Sequence, residues 1–137
     1  MRLARQLLLA LLCGLLVTVG GVVAPTLFVI LDDRAAAGRI AGSLFHVTNW
    51  ITIGLIVAVL ATGGGTRLTR QALLVLLSPA ILLAVSEWGL HPLIEAQKAA
   101  AGTHTLIFAV LHGVSGAVFG LATLAAWAAL IRELRAA

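Results

Sequence analysis

Four stretches of this chain are each long enough and apolar enough to cross a lipid bilayer, which leaves few folds open to it. They run from about Gln6 to Leu31, Ala41 to Thr62, Gln71 to about Leu90, and Thr105 to Ile131. A hydrocarbon core is spanned by about 20 apolar residues in a helix. A spanning segment must also satisfy its own backbone hydrogen bonds, because lipid offers none. A transmembrane barrel needs shorter strands of alternating polarity, and these runs do not alternate. Composition agrees: the 137 residues are 61% hydrophobic and only 10% charged, where a water-soluble domain carries about a quarter charged residues. With a mean hydropathy of +1.13, lipid must serve as solvent for much of the surface. The expectation is an all-α integral membrane four-helix bundle, up-down-up-down, forming one domain over residues 1–137.

The joints carry the polar punctuation of turns: Asp32-Asp33-Arg34, Gly63-Gly64-Gly65-Thr66-Arg67 and Glu95-Ala96-Gln97-Lys98. None has room for another domain. Arg2 and Arg5 ahead of a Leu-rich run resemble a secretory signal, but the run continues to Leu31, too long for a signal core, so it is expected to stay as a helix. Positive charge sets the orientation. With the N-terminus inside, Arg2, Arg5, Arg67, Arg70, Arg132 and Arg135 are cytoplasmic and Arg34, Arg39 and Lys98 are outside, six against three. Both termini are therefore expected in the cytoplasm. Because the basic residues cluster at the ends of apolar runs, they read as topology signals and not as a nucleic-acid surface. Trp88 and Trp127 fall where interfacial aromatic residues sit, and Trp50 is expected deeper, between helices. Cys13, the single cysteine, forms no intramolecular disulfide and reads as a small packing residue.

Membrane helices approach one another through small residues. Gly116 and Gly120 form a GxxxG pair one turn beyond His112, with Gly113 and Ser115 widening the small face. Packing within the chain is the preferred expectation for that face, ahead of homodimer formation. Gly14, Gly20, Gly21 and Pro25 mark the first helix, and Ser78-Pro79 the third; each proline is expected to bend its helix.

The polar residues within the spans gather in one half of the bilayer, the outer half under the orientation above. His46 is followed by Thr48, Asn49 and Thr52; Glu87 and His91 lie one turn apart near the end of the third run; His104 begins the fourth and His112 lies about two turns further in. Ionisable groups at such depth normally face a bundle interior or a wet cavity. Each also has a structural reading. His104 suits an interfacial loop, His91 a helix end near headgroups, and Glu87 a bond to His91 or a reach toward the surface. His46 and His112 suit interhelical hydrogen bonds to Asn49 or Ser115. The chemical reading makes His46, Glu87, His91 and His112 candidate ligands of a transition metal, since imidazole suits copper, zinc and iron. His46 and His112, on different helices at similar depth, are also the candidate pair of axial haem ligands.

The stretch Gly20-Gly21-Val22-Val23-Ala24-Pro25-Thr26-Leu27-Phe28, with Ala37-Gly38-Arg39-Ile40-Ala41-Gly42-Ser43-Leu44-Phe45, resembles a family of small four-helix bacterial membrane proteins. That family is a domain of unknown function related to eukaryotic transmembrane protein 205. Phe108-Ala109-Val110-Leu111-His112-Gly113-Val114-Ser115 is similar to its Phe-x-x-x-His-x-x-Ser pattern. His91 before Pro92 departs from the acidic residue common there. The resemblance implies a four-helix fold in a bacterial inner membrane. It makes Gly21, Pro25, Gly38, Gly42, His112 and Ser115 family features. The eukaryotic branch is associated with platinum-drug resistance, which hints at metal or drug export.

The chain has no phosphate-binding glycine loop, HExxH, CxxC or nucleophile elbow, so an enzyme is the less favoured class. Three classes stay open. One is a small membrane protein that binds or helps move a metal ion or small ligand through a polar outer-half cavity. Another is a haem-binding electron-transfer or haem-biosynthetic protein. The third is an accessory subunit of a larger membrane complex. The lipid bilayer is a partner in all three, and a four-helix transporter would need a homo-oligomer or a larger assembly.

Overall fold

The computed structural model describes residues 2–62 and 69–136 and winds them into four long helices. These are α1 (Arg2–Ile30), α2 (Arg34–Ala61), α3 (Arg70–Ala101) and α4 (Leu106–Arg135), each apolar enough to span a membrane. Among the described residues there is no strand. Short connections make successive helices antiparallel neighbours, and α1 closes the ring against α4. The expected all-α four-helix membrane fold is what forms. The Gly63–Arg67 turn lies outside the described residues.

Two helices extend beyond their apolar runs. α2 starts at Arg34 and not at Ala41, because Asp33 caps it: the Asp33 carboxylate accepts from the backbone N–H groups of Ala35 (2.8 Å) and Ala36 (3.1 Å). α3 does not stop near Leu90 but continues through His91–Ala101. Pro92 reads in sequence as a terminator because its ring collides with the carbonyl four residues back. Here the turn before it, Ser86–Leu90, widens to π-helical winding, with the His91 N–H bonded to the Ser86 carbonyl, and the helix passes the proline. α1 uses the same device. Thr18–Val23 is π-helical, the Ala24 N–H bonds to the Val19 carbonyl, and Pro25 follows. Pro79 is handled differently, inside a regular α-helical stretch. The Val75 carbonyl, which a proline at 79 leaves without its N–H, accepts instead from the Ser78 hydroxyl at 2.8 Å. α3 ends at Gly102, whose φ of 75° is a conformation that glycine adopts without strain.

The interior divides along its length. Toward the end bearing Arg5, Leu9, Leu12, Cys13 and Leu16 of α1 pack with Ile56 and Val59 of α2, Leu76 and Leu83 of α3, and Ala122, Ala126, Ala129 and Leu130 of α4. Cys13 is buried there, as a packing residue would be. Toward the end bearing Asp33, a group of polar side chains, Thr48, Asn49, Thr52, Ser86 and Glu87, is buried beside Ala24, Ala37, Ala41 and Ile94. Arg5 and Glu133 close the apolar end with a 3.0 Å ion pair between α1 and α4.

Two packing expectations are corrected. Gly116 and Gly120 do not meet a neighbouring helix: a β-carbon at either would find no atom within 4 Å. They line an open apolar groove of about 450 Å³ together with Leu16, Gly20 and Gly21 of α1. Phe119 holds the helices apart there. Its ring packs against Gly20, where an added β-carbon would lie 2.6 Å from it, and it also meets Phe45 edge-to-face at 4.8 Å. Trp50 is likewise not between helices. It is 49% exposed and meets Trp88 edge-to-face at 5.9 Å on the outer surface of the α2–α3 seam.

Candidate polar site between helices two and three

α2 buries Ala37, Ala41, Thr48, Asn49, Thr52, Ile56 and Val59, a stripe recurring every three or four residues. In its middle the stripe turns polar. Asn49 and Thr52 are one turn apart on the inward face, and His46 lies one turn before Asn49, on the flank toward α3. His46 and Asn49 therefore present two polar groups to the neighbouring helix at adjacent levels.

α3 supplies the group that meets them. The wide turn at Ser86–Leu90 holds both Ser86 and Glu87 inward. The Glu87 side chain is only 7% exposed. Its Oε1 lies 2.5 Å from Nδ1 of His46, with one proton between them, and its Oε2 accepts from the amide Nδ2 of Asn49 at 2.8 Å. A carboxylate taken out of water is costly unless paired and hydrogen-bonded, and here both of its oxygens are engaged. One carboxylate thus clamps two successive turns of α2. The bond to His46 Nδ1 also fixes the ring and leaves Nε2 as its free position.

The His91 ring lies one turn beyond Glu87, tilted by 32° with its centroid 6.0 Å from that of His46. Of the four residues the sequence singles out, the structure therefore brings His46, Glu87 and His91 together. His112 is placed apart from them. Its ring stacks on Phe108 of its own helix at 5.7 Å, and among the described residues it shares no hydrogen bond or ring contact with the other three. The two histidines of the haem reading thus have different neighbours. Among the described residues no group of three or more His, Cys, Asp or Glu side chains is arranged around a common point to hold a metal ion. His104 sits exposed in the connection before α4.

Two features of the site lie outside the sequence expectations. Glu87 neither bonds His91 nor reaches the surface, because Asn49 and His46 are closer across the seam. Ser115, offered in sequence as a partner for His112, instead meets Ser86 at 3.2 Å and ties α4 to the same level of α3. Ser86 carried no sequence signal beyond its position beside Glu87. Toward the Asp33 end, the Gln97 amide donates to Thr105 at 3.1 Å and joins the last turns of α3 to the start of α4. Trp50 and Trp88 flank the seam on its outer side.

The sequence pattern of a domain of unknown function, DUF4149, matches residues 7–103, a span that holds most of α1, all of α2 and α3, and every residue of the Glu87 cluster. No curated protein and no solved structure matches the chain.

Proposed function

The chain belongs to the DUF4149 family, which is defined without an activity, and we propose from the site itself that it binds a borderline-soft divalent metal ion at the α2–α3 seam. The reading rests on one observation: the buried Glu87 carboxylate holds His46 by Nδ1, with His91 alongside. Metal-ligating histidines characteristically present one ring nitrogen to the ion and give the other to a carboxylate that orients the ring. Two imidazoles sharing one ion at metal–nitrogen distances of about 2.0–2.1 Å have centroids roughly 5–6 Å apart. The 6.0 Å spacing of His46 and His91 is close to that. Glu87 acts as the orienting group, water or a delivered ligand completes the shell, and zinc and copper are the ions such nitrogen donors suit.

In this reading the protein sits in a bacterial plasma membrane with both termini cytoplasmic, as the distribution of positive charge favours. The metal seam then lies in the outer half, open to ions arriving from outside. Four helices are few for alternating access, so the protein acts as a binding or delivery component, in a homo-oligomer or with a larger membrane partner. The resemblance to transmembrane protein 205, with its association to platinum drugs, is in keeping with a metal-handling role.

The test is metal content of the full chain, purified in detergent without a histidine tag, after equilibration with zinc and removal of the excess. About one equivalent is expected in the native chain and in His112→Ala, and a loss of most of it in His46→Ala and in His91→Ala. Metal content unchanged in the His46 and His91 variants, or well below one equivalent in the native chain, overturns the proposal and leaves the cluster as an interhelical clasp.

A further inference from the structure

Deeper than the imidazole pair, two oxygens of α2 are buried with no hydrogen-bond partner among the described residues: Oδ1 of Asn49 and Oγ1 of Thr52. Asn49 is 5% exposed and Thr52 is fully enclosed. They lie one turn apart on the inward stripe, with Ile56 and the apolar core directly beyond.

Thr52 lacks the bond that five other hydroxyls of this protein make. Thr26, Ser43, Thr62, Ser78 and Thr123 each donate to a backbone carbonyl three or four residues back, at 2.6–3.1 Å. That bond is the default for a hydroxyl in a membrane helix, because nothing else in lipid would satisfy it. Thr52 makes no such bond. Asn49 gives one amide hydrogen to Glu87, and the group it leaves unmet is its carbonyl oxygen, an acceptor. An unmet buried polar group costs about 1–3 kcal/mol. Two of them one turn apart, one on the side chain that binds the buried Glu87 carboxylate, point to a common partner.

That partner must be small, since the interior is packed, and must offer positive charge to oxygen lone pairs. Amide carbonyl, hydroxyl and carboxylate oxygens are hard donors, which suit alkali and alkaline-earth ions better than the metals imidazole selects. A single positive charge balances the one carboxylate, whereas a divalent ion leaves an excess charge in a low-dielectric interior. The wide π-helical turn at Ser86–Leu90 lies at the same level, and such turns are frequent at functional sites of helices. We propose that Asn49 Oδ1, Thr52 Oγ1 and the Glu87 carboxylate form an interior site for a monovalent cation of sodium size. The site shares Glu87 with the zinc reading but none of its imidazole donors, and Thr52, which has no part in the outer pair, separates the two by experiment.

The experiment is thermal unfolding of the detergent-purified full chain in sodium chloride against choline chloride at matched ionic strength. A ligand that binds only the folded state raises the midpoint with increasing concentration, so sodium is expected to raise it where choline does not. Thr52→Val keeps the shape of the side chain and removes only the oxygen; it should weaken the apparent sodium affinity at least tenfold while zinc content stays native. Thr52→Ser, which restores the hydroxyl, should recover the response. Equal midpoints in sodium and choline for the native chain overturn the proposal, as does a sodium response undiminished in Thr52→Val. A Thr52→Val chain that is more stable than the native one, with neither responding to sodium, assigns these oxygens to an internal water and also overturns it.

Discussion

Replacing Glu87 by alanine is the most direct probe of what joins α2 to α3. The substitution removes the acceptor of an Asn49 amide hydrogen and the partner of His46 Nδ1, and leaves a gap where a side chain was 7% exposed. In a water-soluble core, orphaning two such groups would cost about 1–3 kcal/mol apiece. In membranes the unfolded reference finds other partners, and measured interhelical bonds average about 0.6 kcal/mol with a maximum near 1.7. The Asn49 amide is buried and takes a value near that upper bound, whereas His46 is half exposed and takes less. The sum, with the cavity, is about 2–3 kcal/mol for Glu87→Ala. Glu87→Gln keeps one carbonyl acceptor and should cost about 1 kcal/mol. Reversible unfolding in mixed micelles, followed by tryptophan fluorescence, measures both, and Trp50 and Trp88 stand beside the seam to report it. A double-mutant cycle with Asn49→Ala should give a coupling of about 1 kcal/mol, since the two residues share one bond. A Glu87→Ala chain within about 0.5 kcal/mol of the native one, on the scale of an ordinary surface change, would refute the clasp.

Gly116→Leu should be nearly neutral in the same assay, since its side chain enters an open groove, whereas Gly20→Leu should cost more than 1 kcal/mol by displacing Phe119; equal effects would show that the groove is closed in the membrane. Reporter fusions at the C-terminus and in the connection at residues 31–33 should report cytoplasm and exterior respectively, and a C-terminal reporter active only outside would reverse the orientation and place the Glu87 cluster in the inner half.

The fold was legible because the hydrophobic length of each run dictates a helix whatever the details of packing. The helix ends were less so. Pro92 carries a local prohibition that a wide turn circumvents, and no residue in Ser86-Glu87-Trp88-Gly89-Leu90 announces that turn. The site was legible in membership but not in pairing. His46, Asn49, Thr52 and Glu87 are conspicuous as polar residues in apolar helices. Which of them meet depends on the rotation of each helix about its axis, and GxxxG spacing or a histidine at a given depth does not report that angle. Gly116 and Gly120 show the same gap: the sequence says that their face is small, not that a partner covers it. Trp50 was misplaced because depth was read as burial, and in a membrane a deep residue can face lipid.

The asymmetry between polar site and apolar groove follows from a plan that the two halves of the chain share. The interval from the Val19 carbonyl to the Ala24 N–H and on to Pro25 is the interval from Ser86 to His91 and on to Pro92, so α1 and α3 carry the same wide turn in the same register. Carrying α1–α2 onto α3–α4 by that interval sets Gly20 on Glu87, Asn49 on Gly116 and Thr52 on Phe119. In one half Glu87 faces Asn49 across the α2–α3 seam; in the other Gly20 faces Phe119 across the α1–α4 seam. Repeats related about an axis along the membrane normal place such positions at equal depth on opposite sides of a bundle. The matched turns set these positions at corresponding places in the two halves, and side-chain choice differentiates them. Polar residues at three positions make a site, and glycine or phenylalanine at the counterparts leaves a groove for hydrocarbon. Side-chain choice at these positions, not the course of the helices that bear them, is what makes one seam polar and the other an apolar groove in this protein.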